Sequence, residues 1–246
     1  MKSITVEVEM DGMESLIGGI ADYETGYIQS IDFPQSGELR FRNLVSRSNS
    51  RPKGKHPSWK MDRMVQWESR NERNAFRHLD CDPEVRSFHE QPCKIVYVID
   101  GVKRIHYPDI LVVRAKEMEI WEVKPRVEAL QPDVRVRTRF LAQALLLWGY
   151  TYRIVLGEDL ARQPHLDNIS YLLRFGNKPV TDYDYEVIRR ALSQKGFLTW
   201  SEACCGHYGA KGRENICSLV VRGVLSIDMD LPLSPATQFH PCRGKI

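Results

Sequence analysis

Apolar and polar positions along this chain follow two different periods, and the switches between them mark the expected elements. Residues 28–33 and 38–44 carry short strand-like patterns. Over residues 68–80 the apolar positions Ala75, Phe76 and Leu79 fall on one helical face, and Cys81-Asp82-Pro83 ends that helix, because proline disfavours helical backbone in the residue before it. A group of strands follows. Residues 94–99 are rich in Val, Ile and Tyr, Asp100-Gly101 is a hairpin signal, and residues 102–107 form the return strand. Residues 110–114 and 118–123 are two further short strands, and residues 125–132 read as a polar loop. Asp133 is placed as the N-cap of a helix from Val134 to Trp148 with Val136, Phe140, Ala144, Leu147 and Trp148 on its apolar face, and Gly149 is its stop. Residues 152–156 read as a buried strand. Strands bracketed by helices in this order predict an α/β core with a mixed sheet.

The composition breaks near residues 175–184, where Gly176, Asn177 and Pro179 cluster. Two domains are therefore expected, residues 1–176 and residues 177–246. The second contains a helix over 185–194, a short one over 200–205, a third over about 213–222 stopped by Gly223, and a strand over 224–229. Three short helices with strands are compatible with a winged-helix-like domain, a fold that serves DNA and protein binding alike.

With 246 residues and 42% hydrophobic content, the chain can bury a substantial core. No run of about 18 apolar residues is present, so no membrane-spanning helix is expected. Residues 1–11 lack the apolar run of a signal peptide. Six cysteines are present without a CxxC pair; Cys204, Cys205, His207 and Cys217 have a spacing that fits no zinc ribbon or finger, so the thiols are expected to be reduced and mostly buried. The net charge of +3 says little about nucleic acid, but its distribution says more. From Arg40 to Arg63 there are eight Lys or Arg and a single acid, Asp62. Residues 46–57 read as an exposed basic loop able to neutralise phosphates, and Arg47, Arg51, Lys53, Lys55 and Lys60, with Arg126 further on, are the candidate DNA contacts.

The chemistry sits in Tyr107-Pro108-Asp109 and Ile120-Trp121-Glu122-Val123-Lys124-Pro125. Thirteen residues separate Asp109 from Glu122, so two strands joined by a tight turn bring them side by side. Glu122 and Lys124 are two apart and face one side of their strand, while Trp121 and Val123 face the other and pack inward. Carboxylates are suitable ligands for Mg²⁺, which keeps several waters, and Mn²⁺ should substitute. In this reading Asp109 and Glu122 hold the cation, and Lys124 orients the attacking water or offsets charge on the phosphate. Glu68 and Glu72, one helical turn apart, are candidates for the additional carboxylate. The alternative is a surface hairpin with a cross-strand salt bridge.

The chain resembles the TnsA endonuclease subunits of heteromeric cut-and-paste transposases. The similarity rests on Pro57-Ser58-Trp59-Lys60-Met61, Trp67-Glu68-Ser69 through Glu72-Arg73, Cys81-Asp82-Pro83-Glu84-Val85 through Glu90-Gln91-Pro92, Tyr107-Pro108-Asp109 and Glu122-Val123-Lys124-Pro125. Together these cover about residues 55–126. The resemblance implies a restriction-endonuclease-like PD-(D/E)xK core. It implies a catalytic set of Glu72, Asp109, Glu122 and Lys124, with metal on the three carboxylates. Some members carry glutamine where this chain has Glu122. Glu68 and Gln91 become neighbours of that set, Gln91 by matching the family pattern. The implied activity is nicking of the 5′ ends of a transposon on double-stranded end DNA. The implied partners are an integrase-like (TnsB-type) transposase and an ATP-dependent (TnsC-type) regulator, in the bacterial cytoplasm. An autonomous restriction or repair nuclease and a non-catalytic DNA-binding scaffold on the same core are the competing readings.

Overall fold

The structure is a computed structural model and describes residues 26–35, 40–41, 52–242 and 244. The expected strand over 38–44 lies almost wholly outside them. Chain order begins with β1 (Gly26–Asp32), β2 (Gly54–Ser58), β3 (Arg63–Trp67) and α1 (Arg70–Cys81). It continues through β4 (Val85–Glu90), β5 (Lys94–Ile99), β6 (Val102–His106), β7 (Ile110–Arg114) and β8 (Met118–Lys124). Then come α2 (Arg126–Ala129), α3 (Pro132–Leu146), β9 (Thr151–Leu156), α4 (Gly157–Leu160) and α5 (His165–Phe175). The C-terminal part holds α6 (Asp182–Lys195), β10 (Leu198–Thr199), α7 (Trp200–Cys204), α8 (Gly212–Val221), β11 (Leu225–Ser226) and β12 (Gln238–Pro241). The molecule is thus mixed α/β.

The central sheet has the order β4-β7-β8-β9. Its β4, β7 and β8 run antiparallel, and β9 adds parallel to β8. A parallel neighbour needs a crossover, which α2 and α3 supply. On one face of this sheet α1 packs with Phe76, Leu79, Phe88, Ile110, Val112 and Val123. On the other, α3 brings Phe140, Leu141 and Leu145 against Ile120, Tyr152 and the inward residues Ile95, Tyr97 and Ile99 of β5. β5 is the middle strand of a second sheet, β1-β5-β6. Strand β8 therefore sends Trp121 and Val123 to the α1 side and Ile120 to the α3 side.

Several elements depart from the sequence expectation for local reasons. Helix α1 starts after Ser69, whose hydroxyl oxygen accepts from the Glu72 N–H. Helix α3 starts earlier than expected, with Gln131 at the cap, Pro132 in the first turn and Asp133 inside it. Its buried stripe is Val134, Phe140, Leu141 and Leu145, while Leu147 and Trp148 are exposed. The expected apolar face was rotated because the helix ends at Leu146, one residue before Leu147. The loop expected over 125–132 contains α2. Strands β2, β3 and β4 and helices α4 and α5 were not anticipated. Of the basic loop over 46–57, the stretch from Gly54 is the first strand of the β2–β3 hairpin. The strand expected over 224–229 shrinks to Leu225–Ser226.

A third cluster joins Ile188, Leu192, Leu198, Trp200, Ile216, Leu219, Leu225 and Phe239 and draws in Leu172 of α5. Helix α5 packs on both α1 and α8, so the expected boundary at 176/177 falls at the end of a helix that touches both sides. All six cysteines are free; Cys93 and Cys217 are buried, while Cys204 and Cys205 are exposed.

One buried charge pins the β2–β3 hairpin to the sheet. Glu90, at the end of β4, accepts two hydrogen bonds from the Arg63 guanidinium, at 2.8 and 2.6 Å, and one from the Gln66 N–H at 3.3 Å. Removing Arg63 leaves the buried Glu90 charge only the longer ion pair with Arg40, at 3.6 Å. Arg63→Ala should therefore lower unfolding free energy by about 3 kcal/mol, read from urea denaturation; an unchanged midpoint would show that the pair contributes nothing.

Candidate active site

The β7–β8 pairing places the first two acids. Ile110 pairs with Trp121, and the Asp109 N–H donates to the Trp121 carbonyl at 3.2 Å, which sets Asp109 at the end of β7 beside Glu122. Asp109 Oδ2 accepts from the Val123 N–H at 2.7 Å, and the Asp109 carbonyl accepts from the Gln91 N–H at 2.8 Å. Both the backbone and the side chain of Asp109 are thereby fixed. Glu122 lies almost fully buried on the α3 side of β8. Lys124 Nζ lies 3.1 Å and Arg137 Nη2 3.6 Å from Glu122 Oε1, and His106 Nε2 lies 3.2 Å from Oε2. Tyr152 Oη is 3.2 Å from the same His106 nitrogen. Despite these neighbours, Glu122 Oε2 makes no hydrogen bond among the described residues.

Glu72 comes from the first turn of α1. Ser69 and Glu72 have the spacing of a capping box, and Glu72 accepts from the Ser69 hydroxyl at 2.9 Å and from the Glu68 N–H at 2.8 Å. Its carboxylate is thus held where the helix begins. Glu68 points to other partners: Oε2 accepts from Gln91 Nε2 at 3.1 Å, and Oε1 lies 3.4 Å from Lys53 Nζ. Gln91 is buried, has a φ of 46°, and leaves its Oε1 without a partner among the described residues. A left-handed conformation at a residue other than glycine stores strain, and here it adjoins Asp109.

The charges are crowded. Burial, followed by the neighbouring charges of Glu122 and Glu72, pushes Asp109 well above the usual carboxylate range, against the Val123 N–H and Lys124. Glu72 is also raised, first by burial, with its two cap hydrogen bonds opposing. Glu122 moves down: burial alone would raise it, but His106 and Lys124 together outweigh that effect. For Lys124, burial works against the charged form, and Glu122 and Asp109 overcome it, so its value rises. Two carboxylates that resist ionisation next to one that favours it form a set short of positive charge. Among the described residues no three His, Cys, Asp or Glu side chains are already arranged as a metal cage. The donor chemistry still fits a hard divalent cation. Asp109 and Glu122 sit side by side on β7 and β8, Glu122 holds a buried oxygen without a hydrogen bond, and Asp109 is disfavoured as an anion by burial and by the charges of Glu122 and Glu72.

The expected DNA contacts separate. Arg47 and Arg51 lie outside the described residues. Lys53, just before β2, and Lys55, on it, are exposed, and Arg126 is exposed at the start of α2, 3.8 Å from Asp159. Lys60 differs from the others: its ammonium donates to the backbone carbonyls of Asp82 and Val85, the latter at 2.6 Å, so it clamps the α1–β4 turn. Sequence reasoning missed Arg137 and Tyr152. Arg137 was legible in one respect: it sits three residues after Val134 and four before Leu141, a cation in an otherwise apolar stripe.

The crowding has a measurable sign. Folded Asp109 holds its proton more tightly than the unfolded chain does, so its ionisation costs stability above the ordinary value of 3.8, and that cost fades as pH falls through the raised value. Asp109→Asn should therefore melt higher than wild type at neutral pH without metal, by about 2–4 °C per kcal/mol relieved, with the gap closing on acidification. A lower melting temperature for the variant would contradict the crowding.

Residues 82–152 match the model of the TnsA-like endonuclease N-terminal family. No curated protein matches the chain. The matched stretch runs from the end of α1 into β9 and contains Gln91, His106, Asp109, Glu122, Lys124 and Arg137; Glu72 and the C-terminal helices lie outside it. Asp109, Glu122 and Lys124, which the strand register brings together, thus fall within the segment that is similar to the TnsA-like endonuclease N-terminal family.

Proposed function

We propose that this protein is a metal-dependent DNA endonuclease that nicks the 5′ ends of a transposon during cut-and-paste transposition. The observation that carries the reading is the convergence of Asp109, Glu122 and Lys124 at one end of β7 and β8, with the Glu72 carboxylate close enough to press on Asp109. The family match over the same strands supports it. The core would be of the restriction-endonuclease-like PD-(D/E)xK type, and the C-terminal helices with their small β10-β12-β11 sheet a winged-helix-like module.

Asp109, Glu122 and Glu72 would hold Mg²⁺, with Mn²⁺ as a substitute. When bound, such a cation polarises a phosphoryl oxygen and lowers the pKa of a coordinated water. The chain's own residues do the rest. The Val123 N–H keeps one Asp109 oxygen aimed at the site. His106 and Lys124 keep Glu122 ionised at neutral pH. Lys124, held protonated by its two acidic neighbours, orients the attacking water or neutralises charge that grows on the phosphate. Lys53, Lys55 and Arg126 stand as exposed cations for the DNA backbone, joined in this proposal by Arg47 and Arg51. An integrase-like transposase would cut and join the 3′ ends, and an ATP-dependent regulator would license assembly.

The test is a strand-specific nicking assay on duplex DNA carrying the ends of the host element, with Mg²⁺ or Mn²⁺, with and without the partner proteins. Wild type should nick the 5′ ends, and Lys124→Ala should lose at least about a hundredfold in rate while keeping its folded circular dichroism spectrum. Wild-type rates in Lys124→Ala would overturn the assigned site. Cutting at defined sites without any partner would favour an autonomous nuclease. Absence of cutting together with absence of Mn²⁺ binding would favour a scaffold.

A further inference from the structure

We infer that Arg137 is a further phosphate-binding residue of this site, one whose guanidinium grips a non-bridging oxygen of the DNA strand being cut. The inference rests on the nuclease reading above and adds a residue to it. Arg137 projects from the sheet-facing stripe of α3, where its helical neighbours Val134 and Leu141 are buried in the core. A charged side chain in such a stripe is expensive unless it is paired, because desolvation of the charge must be compensated.

Its pairing is partial: the Tyr152 hydroxyl is a hydrogen-bond partner, and the approach to Glu122 is long. Arg137 Nη2 stands 3.6 Å from Glu122 Oε1, outside hydrogen-bond reach, while Lys124 Nζ occupies the closer approach to the same oxygen at 3.1 Å. Its Nε–H is buried with no acceptor among the described residues. Contrast Arg63, whose fork closes on Glu90 with two bonds under 3 Å. That is the geometry of a structural arginine in this same protein. Arg137 closes no such fork on Glu122, and about a fifth of its side chain is open to solvent.

Charge leads to the same place. Glu122 has two cations at one oxygen and a histidine at the other. Once Glu122 gives its charge to a divalent cation, Lys124 and Arg137 lose part of their anionic partner. A phosphate arriving at that cation offers what they then need: oxygens at the spacing a planar guanidinium fork matches. Lys124 supplies a compact point charge and Arg137 a directional pair of donors. Arg104, exposed on β6, pairs with Tyr97 of β5.

The experiment uses the full chain with the partners that wild-type cleavage requires. Arg137→Ala and Arg137→Lys are compared with wild type and Lys124→Ala for single-turnover nicking of end-bearing duplex, for affinity toward that duplex in Ca²⁺, and for Mn²⁺ affinity by calorimetry. The expected result is a rate loss of about a hundredfold or more in Arg137→Ala. Arg137→Lys should recover only part of it, because an ammonium lacks the fork. Duplex affinity should fall and Mn²⁺ affinity should hold or tighten. Added guanidinium ion should restore part of the Arg137→Ala rate and part of its lost duplex affinity. Wild-type nicking and duplex affinity in Arg137→Ala, alongside a dead Lys124→Ala, would overturn this inference and leave the nuclease reading standing. So would Mn²⁺ affinity falling in step with the rate, since Arg137 would then merely be holding Glu122. If Arg137→Ala does not fold, Arg137→Lys decides: a rate at least about tenfold down at unchanged Mn²⁺ affinity supports the inference, and a wild-type rate overturns it. A wild type that never nicks would remove the nuclease reading itself, and this inference with it.

Discussion

The structure turns on the repulsion between carboxylates at the end of β7 and β8. Asp109 is fixed there by three backbone hydrogen bonds, one of them the Val123 N–H to its own carboxylate. It cannot swing away from Glu122, which the register sets beside it, and Glu72 presses from the start of α1. A fold that needed only stability would have no reason to hold these groups together, since each one raises the cost of ionising its neighbour. The surrounding cations answer only part of that charge. Lys124, Arg137 and His106 all gather on Glu122, and Asp109 is left as the carboxyl group most in need of a cation.

The scaffold explains why this crowding can persist. The β8 strand is paired on both sides, to β7 and β9, and packed on both faces, by α1 and by α3. Alternation along it sends Trp121 and Val123 into one core and Ile120 into the other, so a one-residue slip would put Glu122 into the α1 core and is heavily penalised. The start of helix α1 is also held against the sheet. Asn71 lies so close to Gly157, the first residue of α4, that a Cβ there would fall 2.1 Å from its amide, which ties the start of α1 to the end of β9. The carboxylate of Glu72 therefore arrives from a helix seated against the same sheet that carries the other two.

Much of this was legible in the sequence, and the limits follow from physics. Period-two alternation in 118–124 gives the facing of Glu122, Lys124, Trp121 and Val123 directly, because a strand offers only two faces. The Ser69 to Glu72 spacing is a local signal, and the helix start obeys it. Strands β2 and β3 were not legible: Gly54-Lys55-His56-Pro57-Ser58 has poor strand propensity and is ordered by pairing and by Asp80, which accepts from Ser58 and lies 2.7 Å from His56. Lys60 looked like one more cation in a basic run. Only the tertiary structure shows its ammonium spent on two backbone carbonyls. Arg137 escaped notice because the helix phase was set from Leu147 and Trp148, which lie past the last helical turn, and a small error in phase hides the one charged residue on a buried stripe.

The most direct measurement is to locate Mn²⁺ by anomalous scattering in crystals of the full chain grown with the ion. The account predicts one peak within ligand distance of Asp109 and Glu122, with the Glu72 carboxylate turned toward it. A peak that avoids all three, or one held by Glu68 on the far side of Gln91, would contradict it.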